Sequence, residues 1–293
     1  MRFLMDTIKG MLIGIANIIP GVSGGTMAVS LGIYDRLIGS ISDLPRHPKK
    51  SASVLLPIIL GCGIGIVGFT YVIEYLLSRH TFVTCMAFTG LILGGLPVLY
   101  GSLKKELAKG SGKIGLPGIL AFLLLFGVAL FLPMMNADDE VLRTFTPSFG
   151  TMTALFFVGV IASATMVVPG VSGSLVMMIL GYYYGIINTI KSFLDALRAF
   201  DTAGLVQGFA LLAPFGIGVL LGIFLIAKLI TFLFKRFGVQ TYCAIFGLII
   251  ASPFAIFYNT GALTQSSFPS IGQMILGLIL AAGCGFVTWK MGN

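Results

Sequence analysis

The feature that most constrains this fold is a loop sequence that occurs twice in apolar surroundings. Residues 20–25 read Pro-Gly-Val-Ser-Gly-Gly and residues 169–174 read Pro-Gly-Val-Ser-Gly-Ser, an offset of 149 from Pro20 to Pro169. At this offset, and further along at 157, the chain pairs Leu31 with Leu180, Gly32 with Gly181, Tyr34 with Tyr183, Pro57 with Pro214, Gly61 with Gly218, Gly65 with Gly222 and Gly90 with Gly247. We therefore expect two copies of one unit, over about 1–135 and 148–293, each with a broken helix.

The composition predicts an all-α polytopic membrane protein with a single transmembrane domain over 1–293. Hydrophobic residues make up 57% of the chain and charged residues only 10%, which is more apolar than a water-soluble core of this length needs. Six apolar stretches reach the roughly 20 residues that cross a bilayer: 52–77, 82–100, 115–135, 204–234, 239–258 and 271–289.

The segment before the first loop predicts a re-entrant helical hairpin. A helix over 7–19 would be about 20 Å long, against a hydrocarbon core of about 30 Å. Each repeat then contains one hairpin and three transmembrane helices, and this odd number of crossings makes the second repeat inverted. Helix pairs that cross fully would leave the parity unchanged, and because 148–168 is long enough to span, that alternative stays open.

Basic residues predict the orientation, since cytoplasmic loops are enriched in Lys and Arg. One set of loops carries Arg2, Lys9, Arg46, Lys49, Lys50, Lys104, Lys105, Lys109, Lys113, Lys235, Arg236 and Lys290. The other set mixes Arg79, Arg143, Lys191 and Arg198 with Asp138, Asp139, Glu140, Asp195 and Asp201. Both termini are then cytoplasmic, and the net charge of +8 is an orientation signal.

The repeated loop has the composition of an oxyanion site. Proline ends the first limb of the hairpin, glycine permits a sharp reversal and a close ligand approach, and Ser or Thr caps the next helix, whose first amides bind anions. The predicted phosphate-binding residues are Gly21, Ser23, Gly24, Gly25, Thr26, Gly170, Ser172, Gly173 and Ser174. We expect the inverted repeats to bring both loops to the membrane midplane. The alternative is a glycine break that serves only tight helix packing.

Several other residues have two readings each. Arg36 could complement a phosphate or extend to the interface, and Glu74 could couple protons or be an interfacial charge near Arg79. Lys191 and Arg198 could serve the outer side or act as interfacial anchors. Tyr34 and Tyr183 could face the cavity or pack in the core, and Gly61, Gly65, Gly218 and Gly222 read as helix-packing positions. The sequence predicts no cofactor and no metal site, argues against nucleic-acid binding, and favours no particular oligomeric state.

The first loop and its flanks resemble the signature of the bacterial polyprenyl-phosphate transporters. The resemblance is carried by residues 16–26, Ala-Asn-Ile-Ile-Pro-Gly-Val-Ser-Gly-Gly-Thr, and 31–38, Leu-Gly-Ile-Tyr-Asp-Arg-Leu-Ile, and it extends over the whole chain. It implies a translocase that returns undecaprenyl phosphate from the outer to the inner leaflet of the bacterial cytoplasmic membrane for cell-wall synthesis. Its partners would be that lipid and the surrounding membrane lipids.

Two other classes of protein remain open. Undecaprenyl-pyrophosphate phosphatases have a similar loop, but there an arginine follows the serine and a glutamate-rich helix supplies catalytic groups. Here Gly24 follows Ser23, Gly173 follows Ser172, and 7–19 contains no Glu. A hydrolase needs a base or a metal to activate its nucleophile. The sequence offers neither, so we expect that the chain is not an enzyme. A small-anion transporter or channel is the main alternative.

Overall fold

The computed structural model describes residues 2–19, 22–109, 113–135, 145–262 and 269–292, and within these ranges all regular structure is helical. The helices are α1 (Arg2–Ile18), α2 (Gly24–Ser30), α3 (Tyr34–Ser42), α4 (Pro48–Arg79), α5 (Thr81–Leu93), α6 (Leu96–Ala108), α7 (Leu116–Phe131), α8 (Phe149–Val167), α9 (Gly173–Ile179), α10 (Tyr183–Ala199), α11 (Thr202–Arg236), α12 (Gly238–Thr260) and α13 (Ile271–Gly292). A short 3₁₀ turn, Leu132–Met134, extends α7.

Seven apolar helical segments in these ranges are long enough to cross a membrane: Pro48–Arg79, Thr81–Ala108, Leu116–Met134, Phe149–Val167, Thr202–Arg236, Gly238–Thr260 and Ile271–Gly292. They cover the six predicted stretches and 148–168. Their exposed faces are rich in large apolar side chains such as Val67, Leu220 and Ile271, which suits contact with lipid rather than water. The chain is therefore a multi-pass membrane protein, as its composition predicted.

The chain forms two compact units. The first comprises Met1–Met134, Val168–Val171 and Ala227–Asn293, and the second comprises Met135–Val167 and Ser172–Ile226. The predicted repeat boundaries concern sequence copies rather than these units, and they stay a prediction.

The same glycine contact joins the first helix of each copy to its long helix. A Cβ at Gly10 of α1 would lie 2.2 Å from the Ile58 carbonyl oxygen of α4, and one at Gly61 of α4 would lie 2.0 Å from the Thr7 oxygen. In the second copy, a Cβ at Gly218 of α11 would lie 2.1 Å from the Phe156 oxygen of α8. The helix backbones come this close because glycine has no side chain. This geometry fits the interpretation of these glycines as helix-packing positions.

A helix–turn–helix follows the loop in each copy. The turn after α2 has Gly32 at φ +68, and the turn after α9 has Gly181 at φ +72. The Ile33 amide donates to the Ala28 carbonyl, and the Tyr182 amide donates to the Met177 carbonyl, so both turns close in the same way. A left-handed glycine after a helix end is the usual solution for such a turn.

The predicted span 82–100 is broken into α5 and α6 at Gly94 and Gly95. A Cβ at Gly95 would lie 2.2 Å from the Cα of Ser30, at the end of α2. The Ser30 hydroxyl donates to the Ile92 carbonyl over 3.0 Å. The break therefore lets the fully buried α2 pack against the α5–α6 junction.

Candidate functional site

The first loop begins a buried helix whose first amides are satisfied by side chains. The Ser23 hydroxyl caps α2 by accepting from the Gly25 amide over 3.2 Å, and the same hydroxyl donates to the Val168 carbonyl over 3.4 Å. Every residue of α2 is buried. A helix start inside protein needs such partners because water cannot reach its amides.

Asn17 occupies the position where sequence reasoning expected free space for a ligand. Its side-chain oxygen accepts from the Gly24 amide over 2.9 Å, and a Cβ at Gly24 would lie 2.7 Å from that oxygen. Asn17 is itself exposed. The Gly24 amide is therefore already bonded to a side-chain oxygen of the chain.

Gly170 of the second loop is fixed to the first loop by a hydrogen bond. Its amide donates to the Thr26 hydroxyl over 2.6 Å, and Thr26 is fully buried. Gly170 has φ +76, and a Cβ there would lie 2.9 Å from the carbonyl oxygen of Leu248. Glycine is therefore required at this position by both backbone conformation and space.

The remainder of the second loop, in the second unit, caps α9 with hydroxyls. The Ser172 hydroxyl accepts from the Leu175 amide over 3.5 Å and is hydrogen-bonded to the Ser174 hydroxyl over 2.9 Å. A Cβ at Gly173 would lie 2.5 Å from Cγ of Met166. Met166 corresponds to Asn17 at the offset of 149, so the residue that covers the glycine is polar in the first copy and apolar in the second.

Two buried charges of α1 bind the segment that follows the first loop. The Lys9 ammonium donates to the Leu31 carbonyl, at the end of α2, over 2.8 Å, where a cation complements the helix dipole. Asp6 forms an ion pair with Arg36 of α3.

The predicted secondary residues have different surroundings in the structure. Arg36 is bonded to Asp6, and Tyr34 is buried and packs edge-on against Phe234, with ring centroids 6.4 Å apart. Tyr183 packs against Tyr184. Glu74, Lys191 and Arg198 are exposed on their helices, and Arg198 lies 3.8 Å from Asp195. Gly21 lies outside the described residues, and no group of three or more potential metal ligands is found among the residues that are described.

Sequence reasoning missed the roles of Asn17, Asp6 and Lys9. Asn17 belongs to the motif that carries the family resemblance, but the motif does not indicate its partner, which is the Gly24 amide on the other side of the loop. Asp6 and Lys9 are charges within an otherwise apolar helix, which is a signal that charged partners are nearby. Their actual partners lie 30 and 22 residues away.

Comparison with known proteins gives consistent matches. A protein-family model described as undecaprenyl phosphate translocase-like matches residues 13–274. A polyprenyl-phosphate transporter of Staphylococcus aureus is 30% identical over 288 residues, which is 97% of this chain and 96% of that protein. A polyprenyl-phosphate transporter of Vibrio cholerae is 26% identical over 267 residues, which is 86% of this chain and 77% of that protein. No solved structure matches the chain.

Proposed function

Because this chain belongs to the undecaprenyl phosphate translocase-like family, we propose that it carries polyprenyl phosphate, and specifically undecaprenyl phosphate, across the bacterial cytoplasmic membrane. The lipid is taken from the outer leaflet and returned to the inner leaflet. The two repeats are inverted, their loops are the breaks of re-entrant hairpins, and both termini are cytoplasmic. These details extend the sequence predictions and rest on repeat parity and on the distribution of basic residues.

The observation that carries the proposal is the oxygen of Asn17 on the Gly24 amide. We interpret this oxygen as a stand-in for a phosphate oxygen. When the headgroup arrives, the exposed Asn17 side chain swings away and the amide donates to phosphate, while Ser23 and Thr26 keep the start of α2 in place. Charge-assisted hydrogen bonds of this kind are worth about 1.5–3 kcal/mol each.

The two loops contribute unequally to binding in this proposal. The first loop offers an amide that an exposed polar side chain covers. In the second loop the apolar Met166 side chain covers Gly173, so that loop contributes the hydroxyls of Ser172 and Ser174. We therefore assign the stronger phosphate contact to the first copy.

Reconstitution into liposomes tests the function. Purified protein should speed the transfer of undecaprenyl phosphate between leaflets, as measured by the accessibility of its phosphate to an added reagent. Ser23→Ala should slow the transfer. Faster flux of inorganic phosphate without lipid transfer would favour the small-anion transporter, and release of inorganic phosphate from the lipid would favour a phosphatase.

A further inference from the structure

A polar cavity in the first unit lies beside the start of α4. It has a volume of about 420 Å³ and is lined from α1, α3 and the first turns of α4, by Asp6, Arg36, Asp43, His47, Lys50 and Ser51 among others. It is separate from the residues assigned above to phosphate binding in the loops. Its position in the chain puts it at the loop that the charge distribution predicts to be cytoplasmic.

The second unit has an equivalent cavity. This second cavity has a volume of about 570 Å³ and is lined from α10 and the start of α11. Most lining positions on these helices match those of the first cavity at the two repeat offsets. The cavity is therefore part of the repeated architecture, and its chemistry in each copy can be compared position by position.

The two copies differ in charge at matched positions. Lys50 of the first cavity corresponds to Gln207 of the second, and His47 corresponds to Gly204. Each cavity has two carboxylates in its lining, Asp6 and Asp43 in the first and Asp195 and Asp201 in the second, but only the first lining also contains the cations Arg36 and Lys50. The first cavity is therefore less unfavourable to an anion than the second.

Lys50 is the cation of the first cavity that is available to a ligand. Among the described residues, neither Lys50 nor His47 takes part in a salt bridge. Arg36 is paired with Asp6, but its Nε is buried and has no hydrogen-bond partner within the described parts of the chain. Asp43 is the one lining carboxylate without such a pairing, and it opposes anion binding.

We propose that the first cavity is a second phosphate site, which takes a phosphomonoester or free phosphate on Lys50, with His47 and Arg36 nearby. The inference rests on the proposed function, since it gives the headgroup a receiving position on the side where the lipid is released. The residues that match Lys50 and Arg36 in the second copy, Gln207 and Gly185, are uncharged, and the second cavity has no such role.

The experiment is a binding measurement on the full chain in neutral lipid nanodiscs, with inorganic phosphate and farnesyl phosphate as probes. Ser23→Ala is the background, because it is the variant expected to weaken the loop site. In this background Lys50→Gln, which copies Gln207, should lower the affinity about tenfold. Asp43→Ser, which copies Ser192, should raise the affinity. Lys49→Gln is the matched control, since it removes the same charge one residue away, outside the lining.

The outcomes separate the two proposals. Equal effects of Lys49→Gln and Lys50→Gln, or no gain from Asp43→Ser, would overturn the cavity site, and unchanged unfolding temperatures would exclude misfolding as the cause. If farnesyl phosphate binds much more tightly than inorganic phosphate, the ligand is a lipid headgroup; equal binding identifies free phosphate. If the parent protein moves no undecaprenyl phosphate between the leaflets of liposomes, but its phosphate binding still depends on Lys50, the proposed function is refuted and the cavity site stands.

Discussion

At the scale of single residues, Thr26 joins the two loop sequences through one buried hydroxyl. Thr26→Val keeps the shape of the side chain but leaves the Gly170 amide without its partner. An unsatisfied buried donor costs about 1–3 kcal/mol, so the unfolding temperature in detergent should fall. Thr26→Ser keeps the hydroxyl and should lose much less. A loss for Thr26→Ser with none for Thr26→Val would mean that packing of the methyl group matters and the hydrogen bond does not.

Removal of the Asn17 side chain should strengthen phosphate binding and weaken the stability of the protein. If its oxygen is displaced by phosphate, Asn17→Ala should bind farnesyl phosphate about two- to tenfold more tightly, since an ordinary hydrogen bond is worth about 0.5–1.5 kcal/mol. Without ligand the same variant should be less stable. Asn17→Asp should bind phosphate more weakly than the parent because the new carboxylate repels it. Weaker binding by Asn17→Ala would show instead that Asn17 holds the ligand directly.

At the scale of helices, the contact between α1 and α4 depends on glycine at specific positions. Gly61→Ala brings a Cβ against the Thr7 carbonyl oxygen, and such overpacking costs about 1–3 kcal/mol. Gly63→Ala is the matched control, because no atom lies within 4 Å of its Cβ position and alanine favours the helix. The unfolding temperature should be lower for Gly61→Ala than for the parent, and it should not be lower for Gly63→Ala. The same contrast is expected between Gly218→Ala and Gly216→Ala in α11.

The helices were more predictable from the sequence than the site contacts. Apolar length located the spanning helices, and the duplicated Pro-Gly strings located the breaks before α2 and α9, because these signals act within one segment. The break at Gly95 was not predicted, since it depends on the close approach of Ser30 from another helix. The loop hydroxyls were predicted as caps, and Ser23 and Ser172 are N-caps. The Asn17–Gly24 and Thr26–Gly170 bonds require the folded chain, since no local pattern selects these partners.

At the scale of the whole molecule, the two copies share parts but differ in chemistry. Both have a glycine-packed helix pair, a helix–turn–helix after the loop and a polar cavity at the next turn. The first copy has Asn17, Arg36 and Lys50 where the second has Met166, Gly185 and Gln207. If the repeats are inverted as proposed, these differences give the two leaflets different chemistry, whereas two identical copies would treat the leaflets alike.

The inverted arrangement itself is tested by the accessibility of two equivalent turns. The exposed Lys49 lies in the first turn of α4, just after the turn from α3, and the exposed Phe200 lies in the turn between α10 and α11. In a background with the four native cysteines replaced, Phe200→Cys should react in intact cells with a membrane-impermeant thiol reagent. Lys49→Cys should react only after the cells are permeabilised, since basic loops stay in the cytoplasm. Labelling of both positions from the same side would mean that the repeats are parallel, and the reverse pattern would mean that the repeats are inverted but the orientation is opposite.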